Sequence, residues 1–146
     1  MSIPDGSPPD LIFYYSVSNE FDAITNTTFG TSILQTIDGP VFADQNLTEQ
    51  IGKWCVPAFI YDINNPDSNG FYDSTGTQTF FLPNGSLSVF DNTLREKNSQ
   101  GNYIVIPGLY TLQIVGGTEN FLNATGFINK IVTKIPTRQI LVYFNK

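Results

Sequence analysis

The chain has 146 residues, of which 40% are hydrophobic and 14% charged, so it is too apolar for a disordered protein and too lightly charged for a coiled coil. Its net charge of −6 comes without any basic cluster, which excludes the positive footprint that nucleic acid binding requires. The chain has no histidine and a single cysteine, Cys55, which excludes histidine-based catalysis, zinc sites built from histidine or thiolate, and an internal disulfide.

The first ten residues contain three prolines, Pro4, Pro8 and Pro9, and are predicted to form an extended arm (1–10) ahead of a single domain (11–146). The segment has neither a basic region nor an apolar core, so no signal peptide is expected. This pattern favours the cytoplasm, or a place in a larger assembly, over classical secretion.

Apolar runs of four to eight residues follow, separated by clusters of glycine, proline and asparagine, as in a β-sandwich or barrel. They predict nine strands, at 11–17, 30–37, 53–62, 77–82, 86–91, 103–106, 110–115, 124–133 and 139–144. The dipeptide Asn84-Gly85 predicts a hairpin turn between two of them. The polar stretches 64–70 and 91–102 are predicted loops, and no long helix is expected.

Two of the predicted strands indicate that the chain associates with copies of itself. The segments 11–15 and 140–144 are apolar on both faces, although an antiparallel sheet with one wet face alternates between apolar and polar residues. Covering the outer face with another copy of the chain is the simplest explanation, so a homo-oligomer is expected.

The uncharged stretch 98–118 is interrupted by proline and glycines, and therefore predicts two strands and a turn instead of a membrane span.

Cys55 lies in the apolar run Trp54-Cys55-Val56. This context predicts a buried, inert thiol.

The segment 115–126, with Gly116, Gly117, Thr118 and Gly126, resembles a signature shared by dirigent proteins and allene oxide cyclases. In both families a strand ends in two glycines and a small hydroxyl residue, and a short turn leads to a further glycine. Phe29-Gly30-Thr31, the turn at 37–40 and the stretch 84–89 resemble other dirigent segments. All of these pieces occur in the family order, between about residues 11 and 144.

This resemblance implies a closed eight-stranded antiparallel β-barrel, usually a trimer, with a hydrophobic pocket at one mouth and no metal or organic cofactor. Dirigent proteins steer the coupling or cyclisation of reactive phenolic intermediates, and allene oxide cyclases fold an unsaturated fatty-acid epoxide for ring closure. The chain departs from both patterns: its first strand carries no carboxylate, and Asp91-Asn92 replaces the arginine that dirigent proteins carry after the Leu-Ser strand.

Asp38 matches the position of a family aspartate and is the candidate catalytic residue, since a carboxylate in an apolar mouth can serve as an acid or a base. Capping the turn at 37–40 is its alternative role. Five tyrosines are candidates for lining a ligand pocket, or alternatively for the core and interfaces: Tyr14, Tyr15, Tyr61, Tyr110 and Tyr143. The glycines of the signature are expected to be structural.

The sequence therefore predicts a cofactor-free barrel that binds a hydrophobic small molecule and steers its cyclisation or coupling. The main alternative is a non-catalytic structural or assembly subunit built on the same barrel, and a third hypothesis is a carbohydrate-binding surface module with exposed aromatic residues and asparagine-rich loops. An open pocket that contains a carboxylate favours the first, and a barrel filled by side chains favours the second.

Overall fold

The structure is a computed structural model that describes residues 6–28 and 30–145. Within these residues the chain forms eleven strands and one short 3₁₀ helix. The strands are β1 (Leu11–Tyr15), β2 (Asn19–Thr27), β3 (Gly30–Phe42), β4 (Gln50–Ile60), β5 (Phe71–Leu82), β6 (Gly85–Phe90), β7 (Leu94–Lys97), β8 (Tyr103–Val105), β9 (Gly108–Gly117), β10 (Gly126–Val132) and β11 (Arg138–Phe144). The 3₁₀ helix spans Glu119–Phe121 and lies between β9 and β10.

Eight of the strands close into an antiparallel barrel in the order β1-β3-β4-β5-β6-β9-β10-β11, with β11 pairing back onto β1. The predicted fold class is confirmed. Closure gives every barrel strand a partner on both edges, which a small open sheet cannot do.

The remaining three strands extend the sheet beyond one end of the barrel. Strand β2 pairs along the amino-terminal part of β3, and β7 pairs with the start of β5 and with β8. A second small core fills this extension, formed by Ile33, Ile60, Tyr72 and Tyr103. The extension therefore stands over one mouth of the barrel.

The barrel interior is packed with side chains that alternate inward along each strand. On β1, Phe13 and Tyr15 face inward, and the Phe13 ring meets Phe80 edge-on with ring centroids 4.9 Å apart. The 3₁₀ helix closes the end opposite the extension, because Phe121 inserts into the core and stacks on Phe144. At the end under the extension the described residues surround a cavity.

Strands β2 and β7 were not expected from the sequence. Strand β2 is an edge strand that pairs with β3, and most of its side chains are exposed, so it carries no apolar alternation. Strand β7 has the sequence Leu-Arg-Glu-Lys and lies inside the predicted loop 91–102. Its one buried side chain is an arginine, Arg95, which polarity alone assigns to the surface.

The predicted hairpin is confirmed with its turn shifted by one residue, and the prediction of a buried Cys55 was wrong. The hairpin turn is centred on Pro83 and Asn84, one residue earlier than expected, because the fixed φ of proline suits the second position of a turn. Gly85 begins β6 with a φ of 135°. Cys55 is exposed instead of buried, because its neighbours Trp54 and Val56 face the core and alternation places Cys55 outside.

Residues 1–5 of the predicted amino-terminal arm lie outside the described residues, so the division into an arm and a barrel domain stays a prediction. None of the helical structure within the described ranges has the length and apolar character needed to cross a membrane.

Candidate functional site

The open mouth of the barrel holds a cavity of about 510 Å³ beneath the extension. Its wall combines apolar side chains with charged ones from β2, the β7–β8 hairpin and the β10–β11 connection. The lining residues are Val17, Glu20, Ile37, Arg95, Glu96, Tyr103, Ile104, Val105, Pro107, Thr133, Lys134, Pro136 and Arg138.

A much smaller cavity of about 30 Å³ lies deeper in the barrel. It is lined by Tyr15, Val17, Ile37, Trp54, Val56, Gln78, Asp91, Arg95, Val105, Lys130 and Arg138. Five of these residues line the outer cavity too: Val17, Ile37, Arg95, Val105 and Arg138. The two cavities are therefore neighbours, one wide and open and one small and polar.

A buried ion pair forms the floor of the inner cavity. The Lys130 Nζ atom on β10 lies 3.2 Å from Asp91 Oδ2 and donates to Gln78 Oε1 at 3.3 Å. Burial disfavours the charge on Lys130, but attraction to Asp91 and the interaction with Tyr15 outweigh it, so the pKa of Lys130 is raised. The Tyr15 ring centroid is 5.6 Å from Nζ.

Arg95 forms the partition between the two cavities. It is buried, and its Nη1 donates to Gln35 Oε1 at 2.6 Å and to the Tyr103 carbonyl at 3.3 Å. Burial lowers the pKa of Arg95, while Asp91 and the more distant Glu20 favour its charged form.

Glu20 supplies a carboxylate at the outer cavity. Partial desolvation and repulsion from Asp22 raise its pKa, while Arg95 acts in the opposite direction. A carboxyl group with a raised pKa beside a cavity is the kind of group that can exchange protons with a ligand.

Asp38, the candidate catalytic residue, lies on the outer face of β3 and accepts a hydrogen bond from Asn19 Nδ2 at 3.1 Å. It lines neither mouth cavity. It contributes instead to a separate outer groove of about 710 Å³, beside Lys53, Cys55 and Phe81.

The five candidate tyrosines are dispersed. Tyr15 alone among them lines the inner cavity. Tyr14 accepts a hydrogen bond from Gln139, and Tyr61 follows β4, where its ring stacks on a phenylalanine. Tyr110 donates to the Ile106 carbonyl at 2.6 Å, and Tyr143 stacks on Phe127 at 5.0 Å.

The glycine signature lies at the closed end of the barrel. A side chain at Gly117 would meet the carbonyl oxygens of Ser86 and Phe121, both 2.6 Å from its Cβ, and one at Gly126 would meet the Tyr143 carbonyl oxygen. Thr118 Oγ1 accepts a hydrogen bond from the Ser86 amide at 3.0 Å. These contacts are structural.

The sequence reasoning missed the residues that form the inner cavity: Gln78, Asp91, Arg95 and Lys130. A usable signal existed at Lys130, which interrupts the apolar strand β10 with a charge. Arg95 gave no such signal because it lies within a stretch of polar residues, and Asp91 was noted only because it stands where dirigent proteins carry an arginine.

No group of three or more histidine, cysteine, aspartate or glutamate residues within the described chain is placed to hold a metal ion.

No protein-family model and no curated protein sequence matches this chain. A solved structure described as pyocyanin demethylase is similar, with a TM-score of 0.64 and 12% sequence identity, and the match covers 92% of this chain and 98% of that one. At this identity the likeness supports the barrel fold alone. The relation to dirigent proteins and allene oxide cyclases stays a prediction.

Proposed function

We propose that this protein is a ligand-binding barrel that holds a hydrophobic small molecule at its mouth and steers the cyclisation or coupling of that molecule without a cofactor. The observation that carries the proposal is the open cavity of about 510 Å³ whose inner end leads to the buried Lys130–Asp91 pair. Concave, largely apolar sites with a few convergent polar groups are typical of small-molecule binding.

The outer cavity suits the apolar body of a ligand. Val17, Ile37 and Val105 line its inner part, and Ile104 and Pro107 belong to the β8 side of the wall. Polar side chains are concentrated at the inner end and at the rim, so a bound molecule would be held in one orientation. Confinement of one conformer is the main means by which a protein without a cofactor directs a ring closure.

The charged groups give the site the means to move a proton. Glu20 at the rim has a raised pKa, and the inner end holds Tyr15 beside the Lys130 ammonium group. Such groups can protonate a developing oxyanion or accept a proton as a ring closes.

A structural or assembly role is the second candidate. The central barrel is filled by large side chains such as Phe13, Phe80 and Leu87, and apolar side chains remain exposed on the outer face. The filled centre favours this role, but the open mouth with its buried charges favours ligand binding.

Native mass spectrometry of the purified protein tests the proposal, since a bound molecule adds its mass to the 16.2 kDa chain and can then be identified. Val17→Phe narrows the cavity at a residue that lines both of its parts. We expect this variant to lose the bound molecule, whereas the matched Ile24→Phe variant keeps it, because Ile24 is exposed on β2 and lines neither mouth cavity. Equal retention by both variants, or a protein that never carries a small molecule, contradicts the proposal.

A further inference from the structure

Three buried polar atoms around the inner cavity have no hydrogen-bond partner among the described residues. They are Gln78 Nε2, Asp91 Oδ1 and Arg95 Nε. Their side chains are almost fully buried, at 0%, 4% and 2% exposure. Buried polar atoms without partners are costly and are uncommon in folded proteins, so three around one cavity call for an explanation.

Another polar atom of each of these side chains is already engaged. Lys130 binds Gln78 Oε1 and Asp91 Oδ2, and the Arg95 guanidinium donates through Nη1 to Gln35. These contacts fix the three side chains and leave two donor atoms, Nε2 with two hydrogens and Nε with one, and one acceptor atom, Oδ1, at the inner cavity.

We propose that the inner cavity binds a hydroxyl group of the ligand, whose apolar body lies in the outer cavity. A hydroxyl group has one proton for Asp91 Oδ1 and two lone pairs, which can accept one hydrogen from each of the two donor atoms. The cavity volume of about 30 Å³ admits one such oxygen, since a single water-sized group needs roughly 10–15 Å³ of this space. This inference rests on the proposed function and names the polar group of its ligand.

A carboxylate fits the same atoms poorly. It has no proton for Asp91 Oδ1, and it would place a second negative charge beside Asp91. Lys130 is already paired with Asp91, and Arg138, which lines both cavities, donates through Nη1 to the carbonyls of Thr133 and Ile135. A purely apolar end would leave all three atoms without partners.

Three compounds with the same ring and carbon number separate these cases: cyclohexylmethanol, cyclohexanecarboxylate and methylcyclohexane. Trp54 is the only tryptophan of the chain and lines the inner cavity, so its fluorescence reports binding of each compound to the intact protein. We expect the alcohol to bind at least about tenfold more tightly than the other two.

The outcomes distinguish this inference from the proposed function. If the carboxylate or the alkane binds as well as the alcohol, or better, the hydroxyl assignment is wrong and ligand binding at the mouth stands. If a structural water alone occupies the inner cavity, the three compounds should bind equally tightly. If none of the three binds, the inference fails and the proposed function loses support.

Asp91→Asn provides the matching change in the protein, because it removes the negative charge and offers a donor in place of the acceptor. We expect the preference to reverse, with the carboxylate binding more tightly than the alcohol. Asp73→Asn removes an exposed carboxylate on β5 that lines neither mouth cavity, and it should keep the original preference. If Asp91→Asn does not fold, the comparison of the three compounds on the unaltered protein still decides.

Discussion

Gly117 occupies a position on β9 where a side chain has no room, since its Cβ would lie 2.6 Å from two carbonyl oxygens and 2.7 Å from Phe121 Cβ. We expect Gly117→Val to lower the free energy of unfolding by about 1–3 kcal/mol, because backbone on both sides must shift. Urea denaturation measures this change. Ile24→Val, on the edge strand β2 and 74% exposed, should stay within about 0.5 kcal/mol of the unaltered protein. An unchanged midpoint for Gly117→Val would contradict the close packing.

The sequence predicted which residues form strands better than it predicted which way each side chain points. Cys55 and Asp38 both lie on outer faces, although the first was expected in the core and the second at a catalytic mouth. Alternation shows which residues of a strand share a face. Where both faces carry apolar residues, it does not show which face points into the barrel. Lys130 is the opposite case: its charge predicts an outward-facing side chain, but it lies inside the barrel, where it pairs with Asp91, 39 positions away in the sequence.

The ion pair between β10 and the segment after β6 is the main electrostatic link between elements inside the barrel. Lys130→Met leaves Asp91 buried without its counter-charge, so we expect a loss of about 3–5 kcal/mol in the free energy of unfolding. The double variant Lys130→Met/Asp91→Leu should recover most of that loss, since an apolar pair carries no desolvation penalty. Lys53→Met, which removes an exposed lysine near the Phe81 ring, is the matched control and should change little. A double variant as unstable as the single one would mean that the pair itself stabilises the barrel.

The same pair predicts how stability depends on alkaline pH. The pKa of Lys130 is raised in the folded protein, so its contribution is complete below the ordinary lysine pKa of 10.5 and is lost as the pH rises through the higher folded-state value. Unfolding free energies measured between neutral pH and strongly alkaline pH should therefore converge for the unaltered protein and Lys130→Met. A difference that stays constant or grows above pH 10.5 would contradict the raised pKa.

At the scale of elements, the sequence predicted the barrel strands because buried strands carry apolar runs with turn residues between them. It missed β2 and β7, which are held by pairing with β3 and β5 more than by their own composition. These strands build the wall of the outer cavity, and Arg95 of β7 reaches the inner one. The candidate site was therefore hidden from the sequence together with the elements that form it.

At the scale of the whole molecule, the number of barrel strands came from the family resemblance, since apolar periodicity is equally consistent with a sandwich. The closed order of eight strands confirms that number. The extension over one mouth and the 3₁₀ helix that closes the other end are long-range features, and no local pattern in the sequence predicts which end is left open.

The outer surface of the barrel still carries apolar side chains, and this is the basis for expecting a homo-oligomer, with the trimer count supplied by the family resemblance. Ile12 on β1 and Leu109 and Val115 on β9 are 48%, 58% and 49% exposed in the single chain. Contiguous exposed apolar surface on a soluble protein commonly marks an interface. Light scattering at micromolar concentration should give three times the chain mass of 16.2 kDa.

Charge substitutions locate the surface responsible. Ile12→Glu and Leu109→Glu place carboxylates on the outer faces of β1 and β9, and we expect each to shift the particle toward 16.2 kDa because a buried unpaired charge is costly at an interface. Ile24→Glu is the matched control, since Ile24 is 74% exposed on the edge strand β2 that stands outside the barrel. If the unaltered protein is a monomer, the prediction of a homo-oligomer is wrong. If it is a dimer, the apolar faces are still covered by another copy, and only the predicted number of three is wrong. If Ile24→Glu alone dissociates the particle, the contact lies on the extension and not on the barrel wall.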